Sequence, residues 1–290
     1  MPDTEPLVSI GLPVRNAADT VAAVAASVLG QRYSRVELVI YDNASTDATE
    51  SVCRELARAD ERVAYRRHPE NVGLLNNFVA TLRAARGSYF RWISDSDDIE
   101  PNLVARCLTE FANDSRVALV TTGMAYTTDD GQTRSEPYTG TGLGSDDPAD
   151  RAIEMLRLLN ESYLQLDPLY AMMRRETVAA IPRRNMLRED QVFAVKLALA
   201  GRWAHVPEVL ARRSWSAAPT SSQARMLGVP AWQSRFANSL QLRELLAVVR
   251  DADLTNEQRA RARAAVYRLF LGRQRRTIRR RSRKLLGLGR

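Results

Sequence analysis

The chain contains little cysteine and little histidine. Its 290 residues include two cysteines, Cys53 and Cys107, and two histidines, His68 and His205. Two cysteines do not make a disulfide framework, and we expect both to be small buried residues on helices, as is typical of a cytoplasmic protein. Neither histidine stands in a spacing that is recognisable for a metal ligand. The composition thus argues against a disulfide-rich secreted scaffold and gives no sign of a histidine-based metal site.

Long apolar runs and two common nucleotide-binding fingerprints are also absent. No run reaches about 18 apolar residues, so no transmembrane helix is expected. The first residues lack a basic segment followed by an apolar stretch, so no secretory signal is expected. The sequence contains neither GxGxxG nor GxxxxGK[ST], which excludes two common classes of nucleotide-binding protein.

Charge is distributed unevenly along the chain. The net charge is +8, but residues 259–290, which we call the basic tail, contain twelve arginines, one lysine and no acidic residue, so the rest of the chain carries −5. One hypothesis is that the segment Arg273–Lys284, with the leucines after it, contacts an anionic membrane surface; a solvated terminus is the alternative. Nucleic-acid binding is not expected, because the tail lies outside the predicted fold and has few aromatic residues among its charges.

Short apolar segments alternate with helical patterns in the first part of the chain. The predicted strands are 8–12, 36–41, 63–66 and 89–93, and the predicted helices are 20–29, 48–59 and 71–86. Strands and helices joined by short connections form right-handed βαβ units and a doubly wound sheet. Further along, the pattern predicts a helix at 101–112, a strand at 118–124, a long loop at 127–148, a helix at 191–200 and only helices after 229.

Three polar clusters follow predicted strands: Pro13–Asn16, Asp42–Asp47 and Asp95–Asp98. The carboxyl ends of parallel strands meet at one edge of the sheet, where ligands bind, so we expect these clusters to share one crevice. Two carboxylates one residue apart, as in Asp95 and Asp97, can bind a hard divalent cation, and such cations recruit phosphates. Aspartate is also common in tight turns, so the acidic run alone is a weak signal.

The same clusters carry motifs in a fixed order. Residues 8–16 end in a P-V-x-N turn, 42–47 read D-[DN]-x-S-x-D, 71–73 read N-x-G, 95–98 read D-x-D-D, and Glu189-Asp190 precede an apolar helix. Together, from residue 8 to about residue 215, they resemble the family 2 glycosyltransferases.

This resemblance implies an α/β fold of the GT-A type, a doubly wound, mostly parallel sheet flanked by helices. It implies a glycosyltransferase domain at 1–215, with a nucleotide-binding half at 1–125 and an acceptor-side half at 126–215. Residues 216–290 would form a helical appendage that ends in the basic tail.

The resemblance also implies roles for residues of this chain. The donor nucleotide would contact the strand ends and the acidic run, at Leu12, Pro13, Val14, Asn16, Asp42, Asn71, Asp95 and Ser96. Asp97 would bind Mg²⁺ or Mn²⁺, a Lewis acid that stabilises charge on the leaving nucleotide. Asp190 would be the catalytic base that takes the proton of an acceptor hydroxyl. A single displacement of this kind inverts the anomeric centre.

Three further residues are candidates for contact with the diphosphate or the acceptor: Asp98, Glu189 and Arg213. Asp98 could instead cap its own turn, and Glu189 could face solvent at a helix start. The segment Arg212–Trp215 lacks a histidine that many relatives place near the metal. Either Arg213 helps to neutralise phosphate, or the metal relies on Asp97, donor oxygens and water.

The predicted activity is metal-dependent, inverting sugar transfer from a UDP, dTDP or GDP type of donor to the hydroxyl of a glycan or lipid-linked acceptor. It would serve cell-surface polysaccharide, glycolipid or secondary-metabolite glycosylation, in the cytoplasm or at the inner face of the membrane. Two alternatives stay open. A sugar-1-phosphate nucleotidyltransferase usually has a Gly-rich basic loop after its first strand, which Pro13–Asn16 lacks. A non-catalytic protein that binds a nucleotide sugar or nucleic acid would not need intact Asp42, Asp97 and Asp190.

Overall fold

The computed structural model describes residues 5–128, 130–162, 165–215 and 219–285. Within these ranges nine strands form one sheet. The strands are β1 (Val8–Val14), β2 (Val36–Asp42), β3 (Val63–Arg67), β4 (Tyr89–Trp92), β5 (Asp97–Ile99), β6 (Val117–Thr128), β7 (Thr133–Arg134), β8 (Met172–Arg174) and β9 (Arg202–Trp215). Their order is β3-β2-β1-β4-β8-β6-β9-β5, and β7 pairs with β6.

Helices flank this sheet. They are α1 (Val21–Leu29), α2 (Thr49–Ala59), α3 (Leu74–Ala84), α4 (Leu103–Asn113), α5 (Pro148–Glu161), α6 (Arg175–Ala179), α7 (Glu189–Ala200), α8 (Thr220–Met226), α9 (Gln233–Asp251) and α10 (Asn256–Leu285). Two short 3₁₀ turns lie at Gly142–Gly144 and Pro168–Tyr170. The helical character predicted for the C-terminal region is confirmed by α9 and α10.

The first four strands form a parallel unit centred on β1. β1 pairs in parallel with β2 and β4, and β2 pairs with β3. Every residue of β1 is buried, as expected for a strand that is covered by helices on both faces. In this register Val14 lies beside Asp42 and Gly11 lies beside Trp92, so the ends of these strands meet at one edge. The predicted α/β fold with helices on both faces is confirmed.

The other half of the sheet is mixed. β8 lies antiparallel between β4 and β6, and β5 is antiparallel to β9. The long loop predicted at 127–148 is partly wrong, because β6 continues to Thr128, β7 pairs with it, and Tyr138 and Leu143 are buried. The pairing of β5 with β9 places Asp97 directly opposite Arg213.

Two apolar clusters lie on the two faces of the sheet. One joins alternate residues of β1, such as Ile10 and Leu12, to α1 and α4. The other joins Phe90 and Trp92 to α5, α7, α9 and α10. The residues that α10 contributes are Ala262, Ala265, Val266 and Leu269. The expectation that the basic tail lies outside the fold is therefore wrong for its first part. Among the described residues, no helix combines the length and apolar character that a membrane crossing requires.

Candidate active site

The first part of the site is a group of polar side chains where β1 and β2 end. This strand-end cluster comprises Asn16, Asp42, Asn43, Ser45 and Asn71. Asp42 is fully buried, and one carboxylate oxygen accepts hydrogen bonds from the Ser45 amide at 2.8 Å and the Ser45 hydroxyl at 2.5 Å. The other oxygen accepts a hydrogen bond from the Tyr65 hydroxyl at 3.0 Å and lies 3.5 Å from Arg67. Burial and the neighbouring Asp42 raise the pKa of Tyr65, so the phenol stays a hydrogen-bond donor to Asp42.

Amide side chains connect the loops of this cluster. Asn43 donates a hydrogen bond to the side-chain oxygen of Asn71 at 2.8 Å. The same oxygen accepts the amide of Gly73 at 3.0 Å, and Gly73 precedes α3 with φ of +86°, which glycine adopts without strain. On the opposite side, Asn16 accepts the Thr46 amide at 2.9 Å. The loops after β1 and β2 therefore contact each other, as the sequence predicts, and the loop after β2 also contacts the segment before α3.

The second part of the site is the acidic turn at Asp95–Asp98. The Asp97 side chain is 1% exposed and accepts hydrogen bonds from two nitrogens of Arg213, at 2.7 and 2.6 Å. The remaining terminal nitrogen of Arg213 donates to Asp167 at 2.7 Å, and the guanidinium carbon lies 3.4 Å from the centre of the Tyr170 ring. Two carboxylates and an aromatic ring thus hold one guanidinium group in place.

A second buried cation lies near this ion pair. Arg91, in the middle of β4, is 1% exposed, and one of its nitrogens donates to the backbone carbonyl of Tyr170. Its other two nitrogens have no hydrogen-bond partner among the described residues. Burial lowers the pKa of Arg91, whereas the nearby carboxylates of Asp97 and Asp167 favour its charged form. Arg91 and Arg213 together balance the charges of these two aspartates.

Both carboxylate oxygens of Asp97, the residue predicted to bind the divalent cation, are already occupied by protein groups. Both carboxylate oxygens accept hydrogen bonds from Arg213, and one also accepts the Ser94 amide at 3.0 Å. Asp95 is half-buried, and the Asp98 side chain is 62% exposed. Within the described ranges, no group of three or more acidic, histidine or cysteine side chains could hold a metal ion. A cation could bind Asp97 only if the ion pair with Arg213 opened.

A cavity of about 820 Å³ lies beside Arg213 and contains the predicted base. Its walls come from α5, the turn at Leu166–Tyr170, and helices α7 to α10. Asp190, the second residue of α7, is an exposed residue that lines this cavity. Desolvation by the surrounding protein, with the negative charges of Asp167 and Glu189, raises the pKa of Asp190 to about 6. Such a carboxylate is ionised at neutral pH and is more basic than an ordinary aspartate.

Two arginines hold the turn that precedes Asp190. Glu189 is buried and pairs with Arg183, whose Nε lies 2.8 Å from its carboxylate. The alternative that Glu189 faces solvent is therefore wrong, and Glu189 does not line the cavity. Arg188 has a φ of +63°, which is uncommon for a residue with a side chain, and it donates to Asn238 on α9 at 2.6 Å. Contacts from both sides thus fix the start of α7.

The structure divides the predicted site residues into two groups. At the strand ends, Leu12, Pro13 and Val14 are buried beside Asp42, and Asn16 and Ser96 are exposed. Asp190 and Arg213 line the cavity, and Asp97 is held by Arg213. The contacts of these residues with a donor or an acceptor stay predictions.

Sequence patterns did not reveal several residues of the site. Asp167 and Tyr170 contact Arg213, and three arginines besides Arg213 line the cavity, at Arg188, Arg273 and Arg276. The sequence did mark one other residue that was missed, Arg91, because it interrupts the apolar segment 89–93. A charged side chain in a buried strand requires polar or charged partners. The remaining residues come from segments far apart in the chain, so no local spacing marks them.

The chain is similar to proteins of known name. It is 32% identical over 133 residues to a chondroitin synthase of Pasteurella multocida (strain Pm70), a match that covers 46% of this chain and 14% of that protein. The chain therefore spans only a small part of that relative's length.

Two solved structures share the fold. The TarS fragment 1-349 of S. aureus in complex with UDP-GlcNAc has a TM-score of 0.67 and 15% identity, and the match covers 91% of this chain and 72% of that one. The mannosyltransferase PcManGT of Pyrobaculum calidifontis, in complex with GDP-Man and Mn²⁺, has a TM-score of 0.58 and 18% identity and covers 92% of this chain and 70% of that one. At such identities the likeness establishes the fold alone, and the predicted GT-A type is confirmed.

A family model described as Glycosyl transferase family 2 matches residues 9–181, more than half of the chain. This range contains both the strand-end cluster and the acidic turn. The chain therefore belongs to glycosyl transferase family 2 and is a glycosyltransferase.

Proposed function

We propose that this enzyme transfers a sugar from a nucleotide-diphosphate sugar to an acceptor hydroxyl and inverts the anomeric configuration. The observation that carries the proposal is the position of Asp190 in the wall of a cavity beside Arg213. With a pKa of about 6, its carboxylate is available to accept a proton at neutral pH. The strand-end cluster occupies the edge at which parallel sheets bind their ligands, which supports a nucleotide there.

In the proposed reaction, Asp190 accepts the proton of the acceptor hydroxyl while the hydroxyl oxygen attacks the anomeric carbon. The bond from that carbon to the donor diphosphate breaks as the new bond forms, and the nucleoside diphosphate leaves with the bonding electrons. NMR spectroscopy of the anomeric proton in the product tests this step. We expect the inverted configuration, and a retained configuration would contradict a single displacement.

The proposed donor is a UDP, dTDP or GDP sugar. Its nucleotide would lie at the end of β1 and against Asp42 and Asn71, and its ribose and diphosphate would approach Asp95 and Ser96. The neighbours with the same fold were solved with UDP-GlcNAc and with GDP-Man, which supports this class of donor. Asp42 already accepts hydrogen bonds from Ser45 and Tyr65. Its role would therefore be both to hold the loop beside the donor's nucleobase and to contact the nucleobase itself.

The metal enters this proposal in a restricted form. The P. calidifontis mannosyltransferase was solved with Mn²⁺, and the acidic turn has the residue types that bind Mg²⁺ or Mn²⁺. Such a cation would supply positive charge to the leaving diphosphate. In this chain Arg213 occupies both oxygens of Asp97. We therefore propose that any cation at Asp97 competes with Arg213.

A thermal-shift panel tests the donor and the metal together. UDP, GDP, dTDP and CDP are each added with and without Mn²⁺, and a ligand at about 100 times its Kd adds about 2.7 kcal/mol of stability. We expect a shift with UDP, dTDP or GDP that increases with Mn²⁺. The increase should disappear in Asp97→Ala and persist in Asp19→Ala, an exposed control. Full transfer activity in excess EDTA would contradict the proposed metal dependence. The absence of a thermal shift with every nucleotide would contradict the proposed class of donor.

We propose a glycan or lipid-linked acceptor, in the assembly of a cell-surface polysaccharide or glycolipid. The similarity to a chondroitin synthase supports a polysaccharide. The outer part of the basic tail would contact the inner face of an anionic membrane. Ile278 is 62% exposed on α10, and Arg275 and Arg279 are exposed beside it. Leu286 and Leu288, which would assist, lie outside the described residues.

Sedimentation with vesicles tests the membrane contact. Each basic residue near an anionic surface contributes about 1 kcal/mol. We expect the full chain to pellet with anionic vesicles and not with neutral ones, and the double substitution of Arg275 and Arg279 by Gln to weaken pelleting. Substitution is preferable to truncation because α10 contributes to the core. Equally negligible pelleting of both proteins would remove the hypothesis.

A further inference from the structure

Besides Arg213, which pairs with Asp97, three arginines line the cavity that contains Asp190. Arg188 precedes α7, whereas Arg273 and Arg276 lie on α10. We call these three residues the arginine cluster. The cluster is the main positively charged feature of a cavity that also contains the predicted base.

The arginine cluster is held by neutral groups. Arg188 donates to the side-chain oxygens of Asn238 at 2.6 Å and Gln241 at 3.1 Å. Arg273 donates to Gln241 and to the backbone carbonyl of Leu159 at 3.0 Å. Arg276 donates to the backbone carbonyl of Asn160 at 3.1 Å and to its side-chain oxygen. Amide oxygens fix the direction of each guanidinium group without cancelling its charge.

Other arginines near the cavity have carboxylate partners. Arg213 pairs with Asp97 and Asp167, and Arg183 pairs with Glu189. Within the described ranges, none of the three arginines in the cluster forms an ion pair with a carboxylate. The chain thus pairs two guanidinium groups, Arg213 and Arg183, with carboxylates and leaves three others in one cavity without an ion-pair partner among the described residues.

The acidic side chains that face the cavity do not change this balance. Glu161 pairs with Arg157, and Asp167 pairs with Arg213. Asp190 alone attracts the cluster, from beyond ion-pair distance. Burial and repulsion by the other two arginines lower the pKa of Arg273 to about 9. An anion that entered the cavity would relieve this repulsion.

We propose that the arginine cluster binds an anionic group of the acceptor, a phosphate or a carboxylate, and thereby presents the acceptor hydroxyl to Asp190. The inference rests on the proposed function and specifies its substrate class. Guanidinium groups bind phosphate and carboxylate oxygens through paired hydrogen bonds. Because neutral partners already hold the three side chains, little ordering is needed when the anion binds.

The donor diphosphate is the other source of a phosphate. The cluster is assigned to the acceptor because Asp42, Asn71 and Asp95 do not line this cavity, whereas Asp190 does. A donor at the strand ends and an anion on α10 would therefore occupy different places. The two sources differ in one measurable property, which is competition with the nucleotide.

Calorimetric titration of the full chain tests the proposal. The probes are glycerol 1-phosphate and glucuronate, with glycerol and glucose as neutral counterparts, each measured with and without a saturating nucleotide. We expect the anionic probes to bind, the neutral ones to bind at least tenfold more weakly, and the nucleotide not to displace the anions. Displacement by the nucleotide would assign the cluster to the donor, and equal affinity for neutral and anionic probes would overturn the anionic acceptor.

Substitutions on α10 locate the site. Arg276→Gln should weaken binding of the anionic probes about tenfold, the loss of one charged hydrogen-bond partner. Arg276→Lys should recover part of the affinity for the anionic probes. Arg268→Gln, at an exposed position on the same helix, should leave this affinity unchanged. Unchanged affinity in a folded Arg276→Gln would overturn the assignment. A failed nucleotide panel would instead contradict the proposed function, independently of these probes.

Discussion

The strand-end cluster and the arginine cluster both place polar side chains beside the same sheet, but they are built differently. In the strand-end cluster, side chains satisfy one another, as when Asp42 accepts hydrogen bonds from Ser45 and Tyr65. In the arginine cluster, neutral groups orient the charges and no described carboxylate pairs with them. The first is a rigid scaffold, and the second is a charged surface that a ligand would complete. Substitutions should therefore affect stability at the strand ends and affect binding or turnover in the cavity.

The largest effect is expected at the base. Asp190→Asn keeps the shape of the side chain but cannot accept a proton, so kcat should fall by about 10²–10⁴-fold while the donor Kd stays unchanged. Because the pKa of Asp190 is about 6, the kcat of the unsubstituted enzyme should rise as pH increases through that value and level off above it.

Steady-state kinetics across this pH range measure kcat, and a nucleotide titration measures the Kd of the donor nucleotide. Asp253→Asn, an exposed aspartate between α9 and α10, is the matched control and should behave as the unsubstituted enzyme. Normal turnover of Asp190→Asn would place the base elsewhere and remove the contrast between the two regions.

The next effect concerns the helix that carries the arginine cluster. Leu269 is 3% exposed, and it precedes Arg273 by one helical turn on α10. Leu269→Ala should lower the free energy of unfolding by about 2–5 kcal/mol. Leu271→Ala, at a position 53% exposed on the same helix, should cost far less. Chemical denaturation of both variants measures these changes in the free energy of unfolding. Equal, small losses would mean that α10 is peripheral and does not set the shape of the cavity.

The smallest effect is expected at the strand ends. Asp42→Ala leaves the donors of buried Ser45 and half-buried Tyr65 without this acceptor, so the free energy of unfolding should fall by about 1–3 kcal/mol. Asp19→Ala, at an exposed position just before α1, is the control and should be neutral. Chemical denaturation measures the free energy of unfolding of both variants, and nucleotide titration measures their affinity for the donor nucleotide. If Asp42→Ala lost nucleotide binding at unchanged stability, the strand-end cluster would be a binding surface and not a scaffold.

Local patterns predicted the parallel unit well. The predicted strands 36–41 and 63–66 correspond to β2 (Val36–Asp42) and β3 (Val63–Arg67). Apolar runs, turns and helix periodicity each span a few residues, so they can be read without knowledge of the fold. The same patterns failed for 127–148, because β7 and the buried Tyr138 depend on packing against β6 and α5.

The sequence by itself determined the order of the strands and helices, the polar loops at the strand ends, and the family motifs from which Asp97 and Asp190 are predicted to be site residues. Tertiary structure alone decided the partners of those residues. Arg213 faces Asp97 because β9 returns beside β5, and Arg273 reaches the cavity of Asp190 because α10 packs against the core. Contacts of this kind join residues far apart in the chain, and their free energy depends on how whole elements pack, which no local spacing records.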